Sequence, residues 1–210
     1  MMKKNIIHNL IILDESGSME SFKSQIISGF NETVQTIKGS QKLFPEQEHF
    51  VSLVTFNSLR QNLIHFIDPV DKLDQIDDEK YQPNATTPLF DAIGFAVNKL
   101  KQVVANQLEA NVLVTIMTDG EENASREFSG NDIKKLIEEL KQQKWTFTYI
   151  GTDHDVDQIA INLSITNTLI FDKNEKGIKD MFAKQNKSRE AYYKKVQNKQ
   201  DTQDNFFDEK

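Results

Sequence analysis

Ile6-Ile7-His8-Asn9-Leu10-Ile11-Ile12-Leu13-Asp14-Glu15-Ser16-Gly17-Ser18-Met19 is the stretch whose reading decides the fold. The near-continuous apolar run from Ile6 to Leu13 is what a central parallel strand, covered on both faces, requires. It drives straight into one carboxylate and two hydroxyls at alternating positions, Asp14, Ser16 and Ser18. A turn at the carboxyl end of a strand can aim three such oxygens at one point. Hard divalent ions such as Mg²⁺ take oxygen ligands at about 2.0–2.1 Å in octahedral geometry and keep some of their waters. One segment therefore carries a place in a sheet and a chemistry at its end.

Outward from it, β-rich runs alternate with amphipathic stretches. Ile26, Ile27, Phe30, Val34 and Ile37 recur at three- and four-residue spacing and predict a helix with one buried face, with Gly39 as its end. His49–Phe56 and Asn62–Ile67 read as two strands joined by the polar Asn57–Gln61, which puts an antiparallel strand at the sheet edge. Leu89, Ile93, Ala96, Val97 and Leu100 form the next helical stripe, with Pro88 at its first turn, where a missing N–H is harmless. Val112–Met117 predicts a buried strand, Ile133, Leu136, Ile137 and Leu140 a helix, and Trp145–Ile150 and Thr168–Phe171 two further strands. The pattern is that of an α/β fold with a doubly wound, mostly parallel sheet. In such a sheet of order 3-2-1-4-5-6, ligands gather at the carboxyl ends of the strands where the order reverses. Asp14 follows the first strand and Asp119 the fourth, so both flank that point, and Thr87 reaches it from the loop before the intervening helix.

Ala85-Thr86-Thr87-Pro88-Leu89 and Val114-Thr115-Ile116-Met117-Thr118-Asp119-Gly120 complete the constellation. Together, Asp14-x-Ser16-x-Ser18, the Thr before Pro88 and Asp119-Gly120 resemble the metal-ion-dependent adhesion site (MIDAS) of von Willebrand factor type A (vWA) domains, over roughly residues 5 to 172. The resemblance implies a Rossmann-like sheet with one antiparallel edge strand and helices on both faces. It implies that the hydroxyls of Ser16, Ser18 and Thr87 touch a divalent cation, Mg²⁺ or else Mn²⁺ or Ca²⁺, while Asp14 and Asp119 act directly or through water. It also implies a coordination position left for a carboxylate of a ligand protein. The expected function is a metal-dependent protein-interaction module of bacterial, intracellular style without catalytic activity, with an AAA-type ATPase or its substrate as a first class of partner. The chain departs from the commoner Gly-Gly-Thr by having Ala85-Thr86, so Thr86 offers a neighbouring hydroxyl as a substitute ligand.

Each part also has a plainer reading. Ser16 or Ser18 is a good helix N-cap, Thr87-Pro88 a cap followed by a first-turn proline, and Asp119-Gly120 a turn. A rival function is a metal-dependent hydrolase or phosphatase on a similar fold, with Asp14 as nucleophile. A phosphatase of the haloacid dehalogenase type needs a second Asp two residues on, where this chain has Ser16. There is no Gly-x-Ser-x-Gly and no phosphate-binding Gly-x-x-x-x-Gly-Lys-[Ser/Thr] loop. A third class is a structural module with a dead site. Asp153-His154-Asp155-Val156-Asp157 looks like a metal cluster, but caps and first-turn acids complement a helix dipole there. Asp91 fits dipole compensation or support of the metal site. Glu121, Glu122 and Asn123 are expected to rim that site, with Arg126 paired to them, and His8 and His65 to be core or edge histidines.

The formal charge of −7 disfavours a sequence-independent nucleic-acid binder, which needs a cationic face to displace counterions. Zero cysteines remove disulfides and thiolate chemistry. Lys3 and Lys4 before the apolar run mimic a secretory signal, but His8 and Asn9 interrupt it and no small-residue cleavage site follows. No stretch approaches the ~20 apolar residues of a membrane span, so a cytoplasmic protein is expected. At 210 residues the chain suits one main domain, read as 1–175. Residues 176–199 then carry a net charge of +6 and 201–210 a net −3. Ile178, Met181, Phe182, Tyr192, Tyr193 and Val196 predict a packed terminal helix with a solvated basic face, followed by disorder beyond about Gln197.

Overall fold

The opening apolar run forms β1 (Asn5–Asp14), which lies between two parallel neighbours, β2 (Gln47–Asn57) and β4 (Asn111–Met117). With both faces covered, Ile7, Leu10, Ile12 and Leu13 are all buried. The computed structural model describes residues 4–105, 107, 110–152 and 156–208. β3 (Arg60–Pro69) pairs antiparallel with β2, while β5 (Trp145–Gly151) and β6 (Asn167–Ile170) extend the parallel side beyond β4. The sheet order is 3-2-1-4-5-6 with a single antiparallel edge strand, as expected. None of the described helices is long and apolar enough to cross a membrane.

Helices cover both faces. On one lie α1 (Lys23–Leu43) and α5 (Glu175–Gln197), which share a core of Ile26, Phe30, Val34, Ile178, Phe182 and the inward residues of the strands. On the other lie α2 (Leu89–Val104), α3 (Gly130–Lys141) and α4 (Val156–Asn162), packed through Ile93, Val97, Ile133 and Ile137. α1 does not stop at Gly39. That glycine is exposed in mid-helix, and the helix is carried past it because Gln41 accepts a bond from the His49 N–H (2.8 Å), tying the last turn to β2.

The C-terminal segment departs from expectation twice. Residues 198–208 are packed, not loose. Thr146 Oγ1 donates to the Thr202 carbonyl (3.1 Å), Phe206 N–H donates to Asn167 Oδ1 (2.9 Å), and Phe206 and Phe207 are buried. Two aromatic rings outweigh the acidic composition, closing over Tyr192 at the end of the core. Arg189, counted among the solvated basic residues, is fully buried. Its guanidinium donates to Asn9 Oδ1 (3.0 Å) on β1 and to Thr115 Oγ1 (2.9 Å) on β4, and Tyr193 also donates to Asn9 (2.6 Å). This explains the polar Asn9 inside an apolar strand: a buried cation needs acceptors.

Candidate metal site

The register pairs Leu13 with Met117, so the next residues, Asp14 and Thr118, meet across the carboxyl ends of β1 and β4. Thr118 Oγ1 donates to Asp14 Oδ2 (2.6 Å), and the Ser16 N–H donates to Asp14 Oδ1 (2.7 Å). The Asp14 carboxyl is fully buried, and burial pushes it up to about 6, against the lowering effect of those bonds and with some help from the Asp119 charge. Tyr81, also buried, donates to the Asp14 carbonyl (2.7 Å) and steadies the strand end.

Past Asp14 the chain turns into a short 3-10 helix, Gly17–Phe22. Ser16 precedes it without making a side-chain cap. Its hydroxyl lies 3.1 Å from that of Ser18, and Ser18 in turn donates to Asp119 Oδ1 (2.6 Å). The other oxygen, Asp119 Oδ2, is buried without a hydrogen-bond partner. Thr87 is buried and does not cap α2, whose N-cap position is Pro88. A Cβ added to Gly120 would meet Thr87 Oγ1 at 3.3 Å and Ser18 Oγ at 4.0 Å, so the glycine leaves room between the two hydroxyls. Thr86 is exposed, with its backbone N–H and carbonyl both bonded to Ser58. All five residues singled out from the sequence, Asp14, Ser16, Ser18, Thr87 and Asp119, thus come together, and Thr87 is the inward one of the threonine pair.

The loops are held from outside this cluster. Gly17 N–H donates to the Ala85 carbonyl (3.0 Å), and Thr87 N–H donates to Asn123 Oδ1 (3.0 Å). Ala85 has φ 64°, the left-handed region that favours glycine. Ala85→Gly is therefore expected to raise stability by about 1 kcal/mol, a relief of backbone strain that exceeds the added unfolded-state entropy. Chemical denaturation checks this, and a loss of stability would show that the position is unstrained.

Neighbouring acids do other work than expected. Glu122 faces inward and organises its own loop, accepting from Phe90 N–H (2.9 Å), Ser125 N–H (2.7 Å) and Ser125 Oγ (2.6 Å). Asp91 accepts from the N–H groups of Arg126, Glu127 and Phe128. Among the described ion pairs none joins Arg126 to Glu121 or Glu122; its backbone N–H donates to Asp91 instead. Glu15 is fully buried and saturated by Thr55, Asn62, Arg60 and the Gln82 N–H, a structural knot behind the turn. His8 lies in β1 bonded to Gln107 (2.9 Å), and His65 in β3 beside Asp68 (3.0 Å). Of the Asp153–Asp157 cluster, residues 153–155 lie outside the described residues, and Asp157 accepts from Thr168 Oγ1 (3.1 Å). Among the described residues no three His, Cys, Asp or Glu side chains form a metal-holding group. The oxygens gathered at this sheet end are two carboxylates and a set of hydroxyls. Thr118 and Tyr81 were missed from the sequence. Thr118 was legible as the hydroxyl beside Asp119, whereas nothing local marks Tyr81.

A family model for the von Willebrand factor type A domain matches residues 10–184. Among solved structures, the chain is similar to a von Willebrand factor type A protein from Catenulispora acidiphila, with 14% identity and a TM-score of 0.55 over 87% of this chain and 42% of that one. It is also similar to the pilus adhesin SpaC from Lactobacillus rhamnosus GG in an open conformation, with 12% identity and a TM-score of 0.63 over 92% and 31%. A third is the SpRpn10 VWA domain, with 14% identity and a TM-score of 0.52 over 85% and 94%. The chain spans less than half the length of the first two. At these identities the likeness carries the fold alone. No curated protein matches the chain.

Proposed function

Because the chain belongs to the von Willebrand factor type A domain family, which commonly mediates protein–protein interaction, we propose that it binds a protein partner through a divalent cation held at the Asp14–Asp119 cluster. The observation that carries this reading is Asp119 Oδ2, a buried carboxylate oxygen without a hydrogen-bond donor beside the hydroxyls of Ser18 and Thr87. Buried polar groups are normally hydrogen-bonded, so an acceptor that has only an ammonium at 3.7 Å leaves room for a closer cation. Hydroxyls and carboxylates are the oxygen donors that Mg²⁺ takes. Ser16, Ser18 and Thr87 would hold the ion through their hydroxyls, with Asp14 and Asp119 contributing charge directly or through water. When bound, the ion would supply an electrophilic position for a carboxylate of the partner.

The residues of the chain pre-arrange this. Thr118 and the Ser16 N–H orient Asp14, and Asn123 and the Ala85 carbonyl set the loops that carry Thr87 and Ser18. The hydrolase reading is weaker for a geometric reason. Asp14 is fully buried, with its carboxylate turned to the Ser16 N–H and Thr118, so it is not presented to a substrate as a nucleophile would be. Titration calorimetry with Mg²⁺ and Mn²⁺ is expected to show one ion bound per chain, lost in Ser16→Ala and Asp119→Ala while the circular dichroism stays native. Absence of binding at millimolar ion would refute the proposal.

A further inference from the structure

A cation already stands at the site. Lys173 Nζ lies 3.7 Å from Asp119 Oδ2, the oxygen without a hydrogen-bond donor, and the lysine side chain is 40% exposed whereas that of Asp119 is 1% exposed. Lys173 sits in the short link between β6 and α5, and that link is fixed. Phe171 N–H donates to the Gly151 carbonyl (3.0 Å), the Phe171 ring is buried, and Asn174 caps α5 by accepting from Gly177 N–H (2.8 Å). The ammonium is thus delivered across β5 from a defined anchor. Among the described residues, two other cations near this end of the sheet pair elsewhere, Arg60 with Glu15 (3.3 Å) and Lys23 with Asp78 (3.7 Å).

We propose that Lys173 is a tethered rival of the divalent cation, neutralising Asp119 in the metal-free protein and giving way to solvent when an ion loads. The inference rests on the cation-binding reading above and adds a regulator to that same site. The physical case is one of charge and valence. An ammonium relieves part of the repulsion between Asp14 and Asp119, but as a single point charge with three N–H donors it cannot gather hydroxyl and carboxylate oxygens around itself as a divalent ion does. Its attraction to a buried carboxylate is stronger than that of a surface pair. The ion must outcompete it, so Lys173 raises the ion concentration at which the site fills. Partial exposure of the lysine leaves it a path out.

The test is calorimetric titration of Mg²⁺ and of Mn²⁺ into the full chain, stripped with EDTA and dialysed, as wild type, Lys173→Gln and Lys173→Arg. Lys173→Gln is expected to bind roughly threefold to tenfold more tightly. Lys173→Arg, which keeps the charge, is expected to stay within about twofold of wild type. In EDTA, Lys173→Gln is expected to melt below wild type, and to show the larger upward shift on adding Mg²⁺. Unchanged affinity in Lys173→Gln overturns the proposal. Weakened affinity overturns it too, by showing that Lys173 steadies the site instead of competing for it. If none of the three proteins binds an ion, the cation reading itself fails and this inference falls with it. Binding by Lys173→Gln alone supports both.

Discussion

Asp14→Asn is expected to stabilise the metal-free protein at pH 7 by roughly 2 kcal/mol while abolishing ion binding, a gain and a loss from one substitution. The Asp14 carboxyl, pushed up to about 6 by burial from an ordinary 3.8, must ionise inside the fold at neutral pH, a penalty of about 3 kcal/mol. An amide removes that penalty and forfeits part of the gain in rearranging its bonds. The rearrangement is mild because Thr118 Oγ1, which donates to Asp14, also lies 3.1 Å from the Gly120 carbonyl and can turn its proton there. The sign of the pH dependence follows. A folded-state value above the unfolded one contributes stability that is complete below about 3.8 and lost as pH rises through about 6. Wild type and variant should therefore converge near pH 4 and separate between pH 4 and pH 7.

His49 acts in the opposite sense in both proteins. Burial, with help from the Arg189 charge, holds it down to about 3, so its contribution is present above 6.5 and is lost on acidification. The difference between the two proteins cancels it. Urea denaturation in EDTA at pH 4 and pH 7 makes the measurement. With Mg²⁺ at a hundred times its dissociation constant the order should reverse, since such a ligand stabilises the native state by about 2.7 kcal/mol. Equal stability of the two metal-free proteins at pH 7 would mean that Asp14 is already neutralised by its neighbours.

Arg189→Ala is expected to cost about 3 kcal/mol, and Arg189→Met much less. Arg189 leads the fully buried side chains, and its guanidinium joins α5 to β1 and β4 through Asn9 and Thr115. Truncation leaves a cavity between helix and sheet and strips Thr115 of a donor. The described partners are an amide, a hydroxyl and a phenol, with no carboxylate among them, and the Nε is without a hydrogen bond. A desolvated cation without a counter-ion is expensive, so an apolar chain of similar reach recovers most of the loss. Removing the charge should also raise the His49 titration, which NMR reads directly. An alanine variant within 1 kcal/mol of wild type would mean that the other buried residues of α5, among them Ile178, Phe182 and Tyr193, hold it in place without Arg189.

The order of elements and the convergence of Asp14, Ser16, Ser18, Thr87 and Asp119 were legible in the chain. Strand runs and helical stripes are local patterns, and a doubly wound sheet brings particular strand ends together whatever lies between them. Legibility failed where tertiary packing overrode a local signal. Gly39 reads as a helix end, but the bond from β2 to Gln41 carries α1 past it. Glu122 reads as a rim residue, but its loop folds around its carboxylate.

By itself, then, the sequence determined that a hydroxyl-rich, two-carboxylate cluster would form at the carboxyl edge of a parallel sheet, because period and spacing act over a few residues and topology does the rest. Only the tertiary structure decided which charges are buried or paired. Arg189 is encoded like any solvated helical cation and Lys173 like any loop lysine. One lies in the core against Asn9, 180 residues away in the chain, and the other faces Asp119 from across β5. The energy of a charge depends on its distance to other charges and to water, and residue identity alone specifies neither.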